Sequence, residues 1–209
     1  MGIEKPDISI LSEEFLEEIK NIQYKNLAVE MLKKLLEGNI KTMEKGNLVK
    51  SEKFSEKLKR ALNKYRNQAI TNAEVVEELI KMANEMKKDV ENEKDLGMNR
   101  DEAAFYYALT ADDAVKQFMK DDVLKKIAHE LTAVIRKNIT IDWSIRKSAQ
   151  AGMRRIIKRL LKKYDYPPKQ AKSALKTVMK QAELMCGNVE SHAYSGYGKV
   201  AEDEGYYKV

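Results

Sequence analysis

Phe54, Leu58, Leu62 and Tyr65 stand four, four and three residues apart, and Val76, Leu79, Ile80, Ala83, Met86 and Val90 repeat at the same spacing. Apolar side chains at that period share one face of an α-helix, whereas a half-buried strand alternates every second residue. No segment shows a convincing period-two pattern. With only three Pro and nine Gly in 209 residues, little interrupts the helical period. The fold class expected is all-α: a multi-helix, bundle-like domain with room for two helical subdomains and a C-terminal tail.

Local signals divide the chain. Ser12 before "EEFLEEI" places a capping residue ahead of an acidic first turn. A second helix is predicted over "NLAVEMLKKLLEG", with Leu27, Met31, Leu35 and neighbouring Leu32 on its buried stripe and Gly38 as its stop. Residues 41–50 read as a turn or loop around Gly46. The segment from Ser51 to Val90 is either two helices, the second opened by Thr71 or Asn72, or one long broken helix. The polar run "KKDVENEKDLG" closes the first half, so the first helical half is 1–97. Asn99 and Glu102 stand at capping-box spacing and open the second, 98–186. Its further helices are expected over Ala111 to Phe118, Asp122 to Lys137, Asp142 to Tyr164 and Pro168 to Cys186. Pro168 suits a first helical position, where its missing N–H costs nothing. Residues 187–209 lose the periodicity, gain Gly and Tyr, and read as a tail.

Several function classes find no support in these residues. One Cys, Cys186, cannot form an internal disulfide, and two His with that Cys leave little material for a metal site, so a reducing cytoplasm is the natural compartment. No apolar run approaches the roughly 18 residues that span a bilayer. There is no phosphate loop and no Gly-x-Ser-x-Gly elbow. Pro6, Asp7, Glu18 and Lys20 spell the pattern of a metal-dependent nuclease, but Glu18 and Lys20 lie on a helical segment where side chains two apart diverge. "HELTA" from His129 begins like a zinc-protease helix, yet the position four after His129 is Ala133, so His129 is expected at the margin of the helix core. Catalytic, cofactor-binding and metal residues are therefore assigned to none.

The charge is localised. Between Ile139 and Pro168, eight Lys and Arg meet two acids, Asp142 and Asp165, a surplus equal to the +6 of the whole chain. At about 100° per residue, Ile145, Ala149, Met153, Ile156, Ile157, Leu160, Leu161 and Tyr164 occupy one arc. Lys147, Arg154, Arg155, Lys158, Arg159 and Lys162 occupy the other, with Lys163 at its edge and Arg146 alone among the apolar positions. Three uses are open: a solvated face, pairing with an acidic helix such as "SEEFLEEI" or "EVVEEL", or an external acidic partner, whether phosphate backbone or protein. Trp143, after the presumed N-cap Asp142, reads as an anchor packed over the preceding turn.

"FSEKLKRALNKYRNQAITNAEVVEELIKMANEM" from Phe54 and "IAHELTAVIRKNITIDWSIRKSAQAGMRRIIKRLLKKYDYPP" from Ile127 resemble the C-terminal helical region of the restriction (R) subunit of type I restriction-modification enzymes, over most of residues 8–186. Its most specific elements are Phe54, Ser55, Glu56, Leu58, Tyr65 and Asn67, then Arg136, Lys137, Asn138, Thr140, Asp142 and Trp143, and finally Lys163, Tyr164, Tyr166, Pro167 and Pro168. The sequence departs from the family pattern at Gln68, where Arg often follows Asn, and in its tail. The resemblance implies a non-catalytic helical module that packs beside the ATP-driven motor and helps dock it onto the methyltransferase and specificity subunits. ATP and Mg²⁺ are then expected only in the motor and nuclease domains, which this sequence does not contain. The alternative is an independent helical, sequence-nonspecific nucleic-acid-binding protein.

Overall fold

The computed structural model describes residues 12–139, 143 and 145–197, with side chains described as far as Cys186. These residues form α1 (Glu13–Asn21), α2 (Lys25–Glu44), α3 (Leu48–Arg66), α4 (Asn72–Asp95), α5 (Arg100–Leu109), α6 (Val115–Phe118), α7 (Asp121–Asn138), α8 (Lys147–Lys163) and α9 (Pro168–Tyr197), with no strand among them. Pro6 and Asp7 of the nuclease-like pattern, together with Thr140 and Asp142, lie outside the described residues.

The N-caps read at Ser12, Thr71 and Asn99 form as expected. The Ser12 hydroxyl accepts from Phe15 N, and both Thr71 with Glu74 and Asn99 with Glu102 close full capping boxes. Each satisfies amides that the first helical turn leaves without partners. Thus the stretch from Ser51 is two helices, and Thr71 opens the second.

Two expectations fail in α2. The helix runs through Gly38 to Glu44, and its buried stripe is Ala28, Val29, Leu32, Leu36, Asn39 and Met43, while Leu27 is 52% exposed. An isolated glycine costs a helix only about 1 kcal/mol, and the apolar stripe continuing to Met43 outweighs that. The turn comes instead at Gly46, which packs so closely against the Arg100 guanidinium that a Cβ would lie 2.2 Å from Nη2.

Other ends shift for local reasons. The Asp112 carboxylate accepts from Ala114 N, a turn that competes with helix and shortens the segment expected over 111–118 to α6. α9 passes Cys186, where the tail was expected to begin, and continues to Tyr197; no Pro follows to stop it, and Gly187 and Gly196 are tolerated. Residues 198–209 lie outside the description. The helices α3 and α8 close with a residue in the left-handed region, Gln68 (φ 55°) and Asp165 (φ 51°). Around each, the next amide reaches back five residues, Ala69 N to Lys64 O and Tyr166 N to Leu161 O. Both are Schellman caps built without glycine.

Two apolar clusters result. One joins α1 to α4 around Leu32, Leu36, Phe54, Leu79 and Met86; the other joins α5 to α9 around Phe105, Leu124, Ile127, Trp143, Ile157 and Val178. A polar seam crosses between them. Gln181 of α9, 3% exposed, donates to Gly46 O at 2.9 Å and accepts from Leu48 N at 3.0 Å. Lys50 of α3 lies over the Tyr107 ring of α5, with Nζ 4.4 Å from its centroid, and bonds Glu93 at 2.7 Å and Asp89 O at 2.8 Å. Burial, with Glu93 and Asp89 nearby, pushes the Tyr107 phenol up to about 12.

Candidate docking surface

From Lys147 onward the angular reading of α8 holds. Met153, Ile157, Leu160 and Leu161 are buried against α7 and α9, Ala149, Ile156 and Tyr164 are half-buried, and every predicted cation of the stripe is exposed. The start is different. α8 begins at Lys147 with Arg146 in the N-cap position and no side-chain cap, while the expected cap, Asp142, lies outside the described residues. Trp143 is fully buried in the second cluster, as an anchor should be, and this fixes a turn ahead of the helix. Ile145 and Arg146 therefore escape the helical phase, and Ile145 is 81% exposed instead of packed.

Electrostatically the stripe splits in two. At its C-terminal edge Glu130 of α7 accepts from Lys163 Nζ at 2.9 Å and from the Tyr164 hydroxyl. The Tyr164 bond, then Lys163, hold the Glu130 carboxyl below the usual carboxylate range, while Glu130 raises the Tyr164 phenol and the Lys163 ammonium. That clamp fixes the end of α8 against α7 and removes Lys163 from the free surface. By contrast, Lys147, Arg154, Arg155, Lys158, Arg159 and Lys162 form no ion pair with any described residue; Arg154 and Arg155 make only long bonds, 3.4 Å, to Gln150 and Ala151 O. The acidic helices α1 and α4 pair elsewhere, through Glu13 to Lys87, Glu78 to Lys64 and Glu85 to Lys57. Internal neutralisation of these six cations is thus excluded among the described residues. A shallow groove lined by Ile156, Arg159, Leu160, Lys162 and Lys163 runs along its edge.

Sequence reasoning stopped at α8 and missed its continuation. On α9, Lys169, Lys172 and Lys176 fall within a 60° arc, opposite buried Ala174, Val178 and Gln181. All three are exposed and have no ion pair among the described residues. Their i, i+3, i+7 spacing was the available signal.

His129 does not lie at the core margin. Its side chain is 72% exposed, with Nδ1 2.6 Å from Glu102 Oε1, and no group of three potential metal ligands occurs among the described residues. The core-facing side of α7 is carried by Leu124, Ile127, Ala128 and Leu131, which leaves His129 on the outer side. Glu102 experiences an upward push from burial that is exceeded by the Asn99 amide and His129, so its carboxyl sits below the usual range. No described helix is long and apolar enough to cross a membrane.

Residues 1–188 match the family model described as "Type I restriction enzyme HindI endonuclease subunit-like, C-terminal". The chain belongs to this family. Among curated relatives of this type I restriction family, it is 41% identical over 179 residues to the type I restriction enzyme HindI endonuclease subunit of Haemophilus influenzae, covering 86% of this chain and 17% of that subunit. It is 38% identical over 161 residues to the putative type I restriction enzyme MjaIXP endonuclease subunit of Methanocaldococcus jannaschii, covering 77% of this chain and 15% of that one. The chain therefore spans about one sixth of the length of the endonuclease subunits it matches. No solved structure matches it.

Proposed function

We propose that this chain acts as a non-catalytic helical module of a type I restriction enzyme R subunit, supporting the docking of the ATP-driven motor and nuclease onto the methyltransferase core. What supports this reading most is the family match over residues 1–188, to a model of the C-terminal part of such subunits. A cation row on α8, exposed and without ion pairs among the described residues, supplies a contact surface.

On this reading the two apolar clusters are two helical subdomains meeting near residue 97, and the seam of Lys50 and Gln181 fixes one against the other. The module works in the cytoplasm and needs no cofactor of its own, ATP and Mg²⁺ being used by the motor and nuclease domains. Its partners are those domains, the modification and specificity subunits, and DNA through backbone contact. Competition tests the reading. An excess of the free chain should slow DNA cleavage by a reconstituted type I enzyme by occupying the R-subunit dock, while leaving methylation by the core unchanged. Cleavage that is indifferent to a saturating excess of the chain contradicts it.

A further inference from the structure

The hairpin formed by α8 and α9 concentrates charge beyond the stripe itself. Between residues 145 and 182 there are twelve Lys and Arg and a single acid, Asp165, so the rest of the chain is net acidic. The helices pack on one another and are joined by only four residues, 164–167. Lys162 and Lys169 flank that turn, which brings the free cations of α8 and the lysine row of α9 into one continuous run of the chain. Of the twelve, Lys163 is held by Glu130, Lys180 by Glu52, and Arg146 is partnered as well. Lys163 lies at the edge of the α8 row, and Lys180 stands one turn beyond Lys176 at the end of the α9 row.

We propose that the α8–α9 hairpin is a platform for the phosphate backbone of double-stranded DNA, engaged without regard to sequence. The inference rests on reading α8 as a contact surface, and names what that surface contacts. Three observations separate a duplex from other acidic partners. First, lysine dominates the face, whereas the centres of protein–protein interfaces are depleted in lysine and rich in apolar and aromatic anchors; among the described residues the one large apolar side chain standing clear of the hairpin is Ile145, before α8 begins. Second, among the described residues the aromatic groups beside the cations are poorly placed for stacking on unpaired bases: Trp143 is fully buried, Tyr166 is 4% exposed with its hydroxyl on Leu109 O, and Lys163 Nζ lies 5.0 Å from the centroid of the Tyr164 ring. Third, successive cations at i, i+4, such as Arg154, Lys158 and Lys162, rise about 6 Å per step along a helix about 25 Å long. That is long enough to follow roughly seven base pairs of backbone at 3.4 Å each.

Contacts of this kind displace condensed counterions. If about five phosphates are neutralised, affinity should fall roughly 500-fold between 50 and 200 mM salt. The assay is fluorescence anisotropy of the whole chain with labelled 30-base-pair duplexes of two unrelated sequences, a 30-nucleotide single strand and a 30-base-pair RNA duplex. Expected are equal affinities for the two DNA duplexes, weaker binding of the single strand and the RNA, and the steep salt dependence. Charge reversal by Lys158→Glu with Lys162→Glu, and separately by Lys169→Glu with Lys172→Glu, should each cost at least tenfold. Reversing the same charge elsewhere, Lys59→Glu with Lys81→Glu, should cost less than threefold. All variants are checked for wild-type helix content and melting temperature.

Absence of duplex binding at 50 mM salt overturns the proposal, as does tighter binding of the single strand or an equal loss in the α3/α4 control. Co-elution of the same variants with the methyltransferase core is measured in parallel. Hairpin variants that lose duplex binding yet still co-elute support a DNA platform separate from the dock. If wild type binds no duplex and the hairpin variants lose only co-elution, the surface belongs to a protein partner and the DNA platform is refuted, while the docking role stands.

Discussion

Lys50 is the residue whose removal should reveal what the buried charge at the edge of the first cluster contributes to stability. Its side chain is 4% exposed and its ammonium meets Glu93 at 2.7 Å, Asp89 O at 2.8 Å and the Tyr107 ring at 4.4 Å. Lys50→Met keeps most of the stem volume but removes the charge, the two hydrogen bonds and the cation–π contact. Breaking a fully buried pair by deleting one partner costs about 3–5 kcal/mol. Here Glu93 retains 26% exposure and can recover some hydration, which lowers the expected loss to about 2–3 kcal/mol. For a chain of 209 residues that corresponds to a melting temperature lower by roughly 5–10 °C. The assay is urea and thermal denaturation followed by helix signal in a double-mutant cycle. Adding Glu93→Gln to Lys50→Met should recover about 1 kcal/mol or more, because the carboxylate no longer lacks its counter-charge. A Lys50→Met protein within about 0.5 kcal/mol of wild type, or strictly additive single effects, refutes the Lys50–Glu93 pair as an energetic link between α3 and α4.

Other consequences follow from single groups. Gln68 occupies a left-handed cap position that costs a side-chain-bearing residue about 1–2 kcal/mol, so Gln68→Gly should stabilise the chain by about 0.5–1 kcal/mol, whereas loss of stability on denaturation would contradict the cap. Tyr166→Phe leaves the buried Leu109 carbonyl without its 2.6 Å donor and should cost about 1–3 kcal/mol in urea denaturation; a neutral outcome would deny that bond. Glu130, Asp121 and Glu102 all have carboxyls held below their ordinary range, so in the acid region the unfolded chain binds more protons than the folded one. Stability should be fully present above about pH 4.5 and fall as pH drops through the folded values, with Glu130→Gln flattening that fall in melts taken from pH 3 to 7.

What the sequence disclosed depended on how local the physics was. Ser12, Thr71 and Asn99 announce their caps because donor and acceptor lie within three residues. The packing face of α8 was legible for the same reason, since one helix fixes the phase of Met153, Ile157 and Leu160. Phase failed at Ile145 because Trp143, buried in the core, sets the turn ahead of the helix. Leu27 misled because nothing local distinguishes an apolar stripe from one rotated by a single residue. Lys50 and Gln181 carried no signal: each looks like an ordinary polar helix residue, and their partners lie 39 to 135 positions away. Gln68 and Asp165 concealed their caps by lacking glycine.

The docking role is met most directly by mixing the purified chain with an assembled core of modification and specificity subunits and resolving the mixture by size-exclusion chromatography. A longer R-subunit fragment serves as the positive control. The account predicts that the chain moves into the core's elution volume at near-stoichiometric load. A chain that elutes alone at all loads, in a preparation that retains the longer fragment, contradicts it.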